Sequence, residues 1–242
     1  MGEGWRGAAG SRDGVGLQLM IHSVLFDMDG VLFDSMPAHA ASWAKVCTEY
    51  GLKMSVRDVY LNEGRTALST IEVLTQRTWG RSTNQEEVDK IYSLKCEEFK
   101  NYPEAPVMPG ATAVLDAVLN TGQQIYIVTG SAQDSLLDRI YSHFPGYFTR
   151  ERVVSGKDYT LGKPNPEPYL MGLKRAGVTA DEAIVVENAP LGVRAAKAAG
   201  IRTIAVNTGI LDDADLLAEG ADWVFPSMAA LAEAWPELQK TL

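Results

Sequence analysis

Four short groups of residues carry side chains suited to chemistry on a phosphate ester. The first is Asp27-Met28-Asp29-Gly30. Then come Thr129-Gly130-Ser131, Lys163 between Gly162 and Pro164, and Glu187-Asn188. Phosphoryl transfer asks for positioning and charge neutralisation more than for a strong nucleophile. Asp27 can therefore attack phosphorus if a hard cation screens the repulsion between carboxylate and phosphate. Mg²⁺ suits that task, since it takes oxygen ligands, often one or two carboxylates plus substrate phosphate. On residue type, Asp27 and Glu187 are the natural donors, joined by Asn188 and a backbone carbonyl at Asp29. Asp29, two residues on, is placed to protonate a leaving oxygen and later to take a proton from water. Gly30 lets the chain turn sharply beneath the substrate. The Thr129 hydroxyl and the N–H groups of Gly130 and Ser131, ahead of a helix N-terminus, form an anion cradle. Lys163 adds a point positive charge.

Each group must be delivered by an element. Ser23–Phe26 is a short apolar run ending at Asp27, the pattern of a buried strand. Similar runs span 125–128, 152–154, 183–186 and 203–206, with a shorter one at 223–225. Amphipathic helices are predicted between them, at 111–120, 133–142, 166–175 and 191–198. This alternation implies βαβ units and an α/β fold, a Rossmann-like doubly wound parallel sheet. Ligands of such sheets collect at the carboxyl ends of the strands, where all four groups fall. The stretch after the first strand departs from the alternation. Residues 38–50, 56–62, 67–75 and 86–101 show 3.6-residue periodicity instead, which predicts an inserted α-helical subdomain over 36–106. Pro37 and Pro103, Pro106 and Pro109 punctuate its ends. The core is then 20–35 with 107–242. Residues 1–19, with six glycines, read as a flexible leader lacking a signal-peptide pattern.

Composition narrows the class. The 242 residues carry a formal charge of −9, unlike a nucleic-acid surface with clustered Lys and Arg. No apolar run reaches the roughly 18 residues of a membrane span. Two cysteines, Cys47 and Cys96, make no disulfide framework and fit a reducing, cytoplasmic setting. One copy of the chain suffices for the chemistry.

The run Asp27-Met28-Asp29-Gly30-Val31-Leu32-Phe33-Asp34-Ser35 resembles the first motif of the haloacid dehalogenase (HAD) superfamily. Thr129, Lys163 and Glu187-Asn188 resemble its second, third and fourth motifs, in order, and the likeness runs from about residue 21 to the C-terminus. The helical insertion is similar to that of the small-cap group, which includes β-phosphoglucomutases and sugar-phosphate phosphatases. The resemblance implies an aspartyl-phosphate at Asp27, acid/base duty for Asp29, and Mg²⁺. Many relatives carry two acidic residues in the fourth motif. Asn188 removes one negative charge there, and weaker Mg²⁺ binding is expected. His39 resembles a histidine that some members keep near the acid/base residue. Gly64-Arg65-Thr66 looks like the cap loop that meets substrate, with Arg65 suited to a hydroxyl or second phosphate. Lys95 reads as a surface lysine, and Trp43, Tyr92 and Phe99 as the cap's own core.

The expected activity is a Mg²⁺-dependent phosphatase for a small phosphorylated metabolite, a sugar or polyol phosphate. A β-phosphoglucomutase-like phosphomutase is the alternative, although Arg65 directly follows Gly64 and Ala67 stands where a charge would serve a bisphosphate. A non-catalytic binding protein on the same scaffold is the alternative from another class. Dehalogenases lack the second aspartate, and phosphonate hydrolases replace it with a small residue. Asp29 counts against both.

Overall fold

The computed structural model describes residues 20–132 and 135–242. The expected leader, 1–19, and the first two residues of the predicted helix 133–142 lie outside the described residues. Six parallel strands form one sheet: β1 (Ser23–Phe26), β2 (Gln124–Val128), β3 (Val153–Val154), β4 (Ala183–Glu187), β5 (Arg202–Val206) and β6 (Trp223–Phe225). Their order is β3-β2-β1-β4-β5-β6, so the winding reverses at β1. In a doubly wound sheet this reversal opens the ligand crevice. Phe26 pairs with Ile127 on one side and Val186 on the other. Asp27, Thr129 and Glu187 therefore leave neighbouring strands at nearly the same level.

The strands read as continuous apolar runs because both faces are covered. Val24, Phe26, Ile125, Ile127, Ile184 and Val186 share one core with α5 (Ala111–Asn120) and α10 (Met228–Leu238). Leu25, Tyr126, Val128, Ala183 and Val185 face α7 (Glu167–Ala176) and α8 (Pro190–Ala198). Strand alternation then puts Asp27 and Glu187 in step with the second set. Helices α6 (Leu136–His143) and α9 (Asp213–Ala218) complete the core.

Between β1 and α5 the chain forms α1 (Met36–Tyr50), α2 (Val56–Leu61), α3 (Ala67–Trp79) and α4 (Gln85–Phe99). Local chemistry starts each of them. Pro37 occupies the first turn of α1, where its missing N–H costs nothing. Ser55 with Asp58, and Asn84 with Glu87, close reciprocal capping boxes on α2 and α4. Thr66 caps α3 through Ser69 N–H. The periodicity had ended α3 at residue 75, but its last turn is exposed and so lacks an apolar signal; the helix stops at Gly80.

The four helices bury a cluster of their own, including Trp43, Val46, Ile71, Leu74, Val88 and Ile91. One member comes from elsewhere: Leu211, in the loop after β5, is inserted among them. Beside it Tyr60 lies so close to Gly209 that a Cβ there would fall 2.7 Å from the ring. Arg57 pairs with Asp215 at 2.7 Å. The helical block is thus seated on the carboxyl end of the sheet. No helix among the described residues is long and apolar enough to cross a membrane.

Candidate active site

Lys163 stands at the centre of the strand ends. It is 3% exposed, and its Nζ donates to Asp27 Oδ1 at 2.5 Å and to Glu187 Oε1 at 2.6 Å. Burial disfavours its charge, but the two carboxylates outweigh burial and hold its pKa well above the usual lysine value. Burial pushes the Asp27 carboxyl up, aided by the charges of Glu187 and Asp29, while Lys163 pulls it down. A compact, paired cluster results.

The oxygen accounting at Glu187 revises its expected role. Oε1 accepts from Lys163 and from the Tyr169 hydroxyl at 2.7 Å, and Oε2 accepts from the N–H groups of Asn188 and Ala189 at 2.9 and 3.1 Å. With 0% exposure and four donors, Glu187 has no lone pair turned to the cavity for a metal. The reason is strand parity. Glu187 belongs to β4 itself and faces α7 and α8, where Gly192 leaves room: a Cβ there would fall 1.8 Å from Oε1. Asn188, the next residue, is the one that turns to the crevice. Its Oδ1 is buried without a hydrogen-bond partner among the described residues. Its Nδ2 lies over Gly30, where a Cβ would fall 2.0 Å away and where φ is +82°. Only glycine fits that approach and that conformation.

An orphaned buried oxygen at Asn188, with an Asp27 carboxylate whose hydrogen bond runs through Oδ1 alone, fits a hard cation. Three or more His, Cys, Asp and Glu do not converge on a metal position among the described residues. The donor set that fits is Asp27, the Asp29 carbonyl and Asn188, one acidic side chain with two neutral oxygens.

Asp29 is held from the helical block. Ser35 Oγ donates to its Oδ1 at 2.5 Å, and His39 Nε2 is 3.7 Å from the same oxygen. Burial would raise this carboxyl, yet His39, Ser35 and the charge of Arg139 hold it well below the usual carboxylate range. Lys95 Nζ is 2.8 Å from His39 Nδ1. An ammonium only donates, so Nδ1 accepts and Nε2–H faces Asp29. Lys95 is 5% exposed, not the surface lysine expected, and burial lowers its pKa. Val88, Ile91 and Lys95 lie on one face of α4, which carries it inward. Phe99 lies against His39, ring centroids 4.5 Å apart, and lines the cavity, as does half-exposed Tyr92; Trp43 also lines it while belonging to the helices' own cluster.

The cavity enclosed by these residues is ≈ 110 Å³. Drug-sized ligands occupy roughly 300–1,000 Å³, and a water takes about 30 Å³. The cavity is small beside the pockets that hold drug-sized ligands. Thr129, Gly130 and Ser131 form its wall, with Thr129 Oγ1 accepting from Ser131 N–H at 3.1 Å. Arg65 also lines it, but its Nε donates to Asn62 and its Nη1 to Ser69, so its reach is restrained. Two charged lining residues escaped the sequence reading. Glu63 precedes Gly64, and burial pushes its carboxyl up. Arg139 on α6 stacks 3.9 Å over Phe33; its Nε and Nη2 are buried without a hydrogen-bond partner among the described residues, and Nε lies 3.9 Å from Glu104 Oε1. A turn glutamate and an arginine on an amphipathic helix carry no pattern that would single them out.

Comparison with known proteins decides the family. The sequence profile of the haloacid dehalogenase-like hydrolases matches residues 24–206. The chain belongs to that family. Hexitol phosphatase A of Escherichia coli is 30% identical over 199 residues, covering 80% of this chain and 88% of the other. Glycerol-1-phosphate phosphohydrolase 2 of Saccharomyces cerevisiae is 28% identical, covering 84% and 80%. A solved Bacteroides vulgatus structure, provisionally named a beta-phosphoglucomutase, shares 50% identity over 93% of this chain and 91% of its own, with a TM-score of 0.89. This HAD-like chain is thus an enzyme on an α/β scaffold, with helices inserted after the first strand.

Proposed function

We propose that this HAD-like enzyme is a Mg²⁺-dependent phosphatase for a small phosphorylated metabolite, a compact sugar or polyol phosphate. The observation that carries the reading is buried Asp27, paired with Lys163, on the wall of a small cavity that Asp29 also lines. The curated relatives supply the substrate class through their names, hexitol phosphatase and glycerol-1-phosphate phosphohydrolase.

Asp27 attacks phosphorus and becomes the aspartyl-phosphate, while Lys163 stays on its Oδ1 and offers its charge to the phosphoryl oxygens. Thr129 and the backbone of Gly130 and Ser131 take the remaining oxygens. Mg²⁺, held by Asp27, the Asp29 carbonyl and Asn188, supplies charge neutralisation. Asp29 takes up a proton from solvent as the anionic ester binds, the ester's negative charge raising its proton affinity, and passes it to the leaving oxygen. The ionised Asp29 then takes a proton from the water that cleaves the acyl phosphate. His39 and Lys95 hold Asp29 in place, with Arg65 set beside the leaving group. Residues 36–106 act as a cap that excludes bulk water, over a core of 20–35 and 107–242. A single chain holds every residue named, and the two-cysteine composition suits a cytoplasmic setting.

The 50% identical neighbour favours a second reading, a phosphomutase. The lining supports hydrolysis, since Ala67 stands on the cavity wall where a charge would serve a bisphosphate. The test is a panel of phosphorylated sugars, polyols and nucleotides with Mg²⁺, with and without a hexose bisphosphate, against an Asp27→Asn control. Hydrolysis of the smaller esters without bisphosphate stimulation is expected. Isomerisation that depends on bisphosphate would replace phosphatase by mutase, and turnover equal to the control would favour a binding protein.

A further inference from the structure

One group in the centre has no part in the chemistry above. Tyr169 lies on α7, six residues past Lys163, and is 0% exposed. Its hydroxyl donates to Glu187 Oε1, the oxygen that also receives Lys163 Nζ. Its ring lies 5.0 Å from the same ammonium, within cation–π range. Residues that face this core for packing alone have no need of a hydroxyl; Leu25, Val128, Leu173 and Val185 fill the surroundings.

Glu187 depends on its neighbours for orientation. Two N–H groups fix Oε2, and the carboxylate rests against Gly192, where any side chain would displace it. Among the described residues Oε1 accepts from Lys163 and Tyr169 alone. Without the hydroxyl, the ammonium would be the sole donor to that oxygen and would be drawn toward Glu187, away from Asp27. Burial and the charge of Glu187 push the Tyr169 pKa well above its ordinary value, so the hydroxyl keeps its proton and remains a donor.

We propose that Tyr169 is a positioning residue, its hydroxyl sharing Glu187 with Lys163 so that the ammonium stays seated on Asp27 Oδ1. The proposal deepens the phosphatase reading and rests on it. Groups that orient a reacting shell from behind typically change activity or affinity 10–100-fold when removed. The Lys163 charge matters most as phosphoryl transfer proceeds, so the effect falls on kcat more than on KM.

Tyr169→Phe keeps the ring and removes the hydroxyl. Assayed well below its melting temperature on the best ester of the panel, it should lose about tenfold in kcat with KM within about twofold. The inhibition constant of inorganic phosphate should rise by a similar factor. The decisive arm is a double-mutant cycle. In a Lys163→Met background, or in Glu187→Gln if Lys163→Met fails to fold, Tyr169→Phe should weaken phosphate binding no further. An unchanged kcat in Tyr169→Phe, or an equal loss in every background, would overturn the proposal. If the wild-type protein turns over no phosphate ester, the phosphatase reading has failed; normal wild-type turnover with an indifferent Tyr169→Phe sinks this inference alone.

Discussion

Lys163→Met removes the ammonium from between two buried carboxylates and keeps the aliphatic stem. Asp27 and Glu187 each lie within 2.6 Å of that nitrogen, so their near oxygens face each other across a short gap. Two unit charges about 5 Å apart repel by about 3 kcal/mol at an effective dielectric constant near 20. Removing one partner of a buried ion pair typically costs about 3–5 kcal/mol. A loss in that range is expected at pH 8. Stability should also depend on pH more steeply than in the wild type, where burial already raises the Asp27 carboxyl but Lys163 pulls it down. One carboxyl of the variant will have a folded-state pKa raised above the unfolded value of about 4. Such a group contributes its stability fully below the unfolded value and loses it as pH rises through the folded one. Acidification should therefore restore the variant, by up to about 1.4 kcal/mol per pH unit. Urea unfolding of both proteins at pH 8 and pH 5 measures this, and the deficit should shrink to less than half at the lower pH. A deficit of the same size at both values would mean that no carboxylate had been left unpaired, and the charge argument would be wrong.

Other perturbations test other parts of the molecule. Asn188→Asp places a carboxylate at the orphaned oxygen, and the Mg²⁺ midpoint, read from metal-dependent melting as well as from activity, should fall by about tenfold. A variant that needs as much Mg²⁺ as the parent would contradict the fit. Gly64→Ala puts a Cβ 2.8 Å from Lys163 Cδ at φ +86°. It should cost about 1–2 kcal/mol in stability, measured by thermal unfolding, and lower kcat as well. Asp158 accepts from Arg175 at 2.5 Å and from Ser155 N–H at 2.7 Å, tying the end of β3 to α7. Burial would raise its pKa, but these partners lower it, so its contribution is present above about pH 4 and lost below. Asp158→Asn should therefore be less stable than the wild type at pH 6, with the gap closing toward pH 2.

Strand ends were the legible part of this molecule. An apolar run closed by Asp27, by Thr129 or by Glu187 shows both the strand and the edge to which its last side chain is delivered. Side-chain parity was harder to see. Ala183, Val185 and Glu187 alternate with Ile184 and Val186, and with both sets apolar nothing in β4 marks which face is which. The Glu187–Asn188 order consequently misled: the charged residue points into the protein and the neutral one toward the crevice. Lys95 carried a usable signal, because Val88, Ile91 and Lys95 recur at helical spacing. A lysine on an apolar stripe is uncommon unless it is paired. Tyr169 carried none, since a tyrosine beside Leu173 in an amphipathic helix has the same pattern whether or not its hydroxyl is used.

Leu211 gives the two halves of the molecule a shared interior. Any motion that parts the helices from the sheet draws this leucine out of apolar surroundings into water, at about 2 kcal/mol. That contribution adds to the Arg57–Asp215 pair and the Tyr60–Gly209 contact in holding the helices on the sheet. A segment more than twenty residues beyond Asn188 thus helps seat the helices that roof the site.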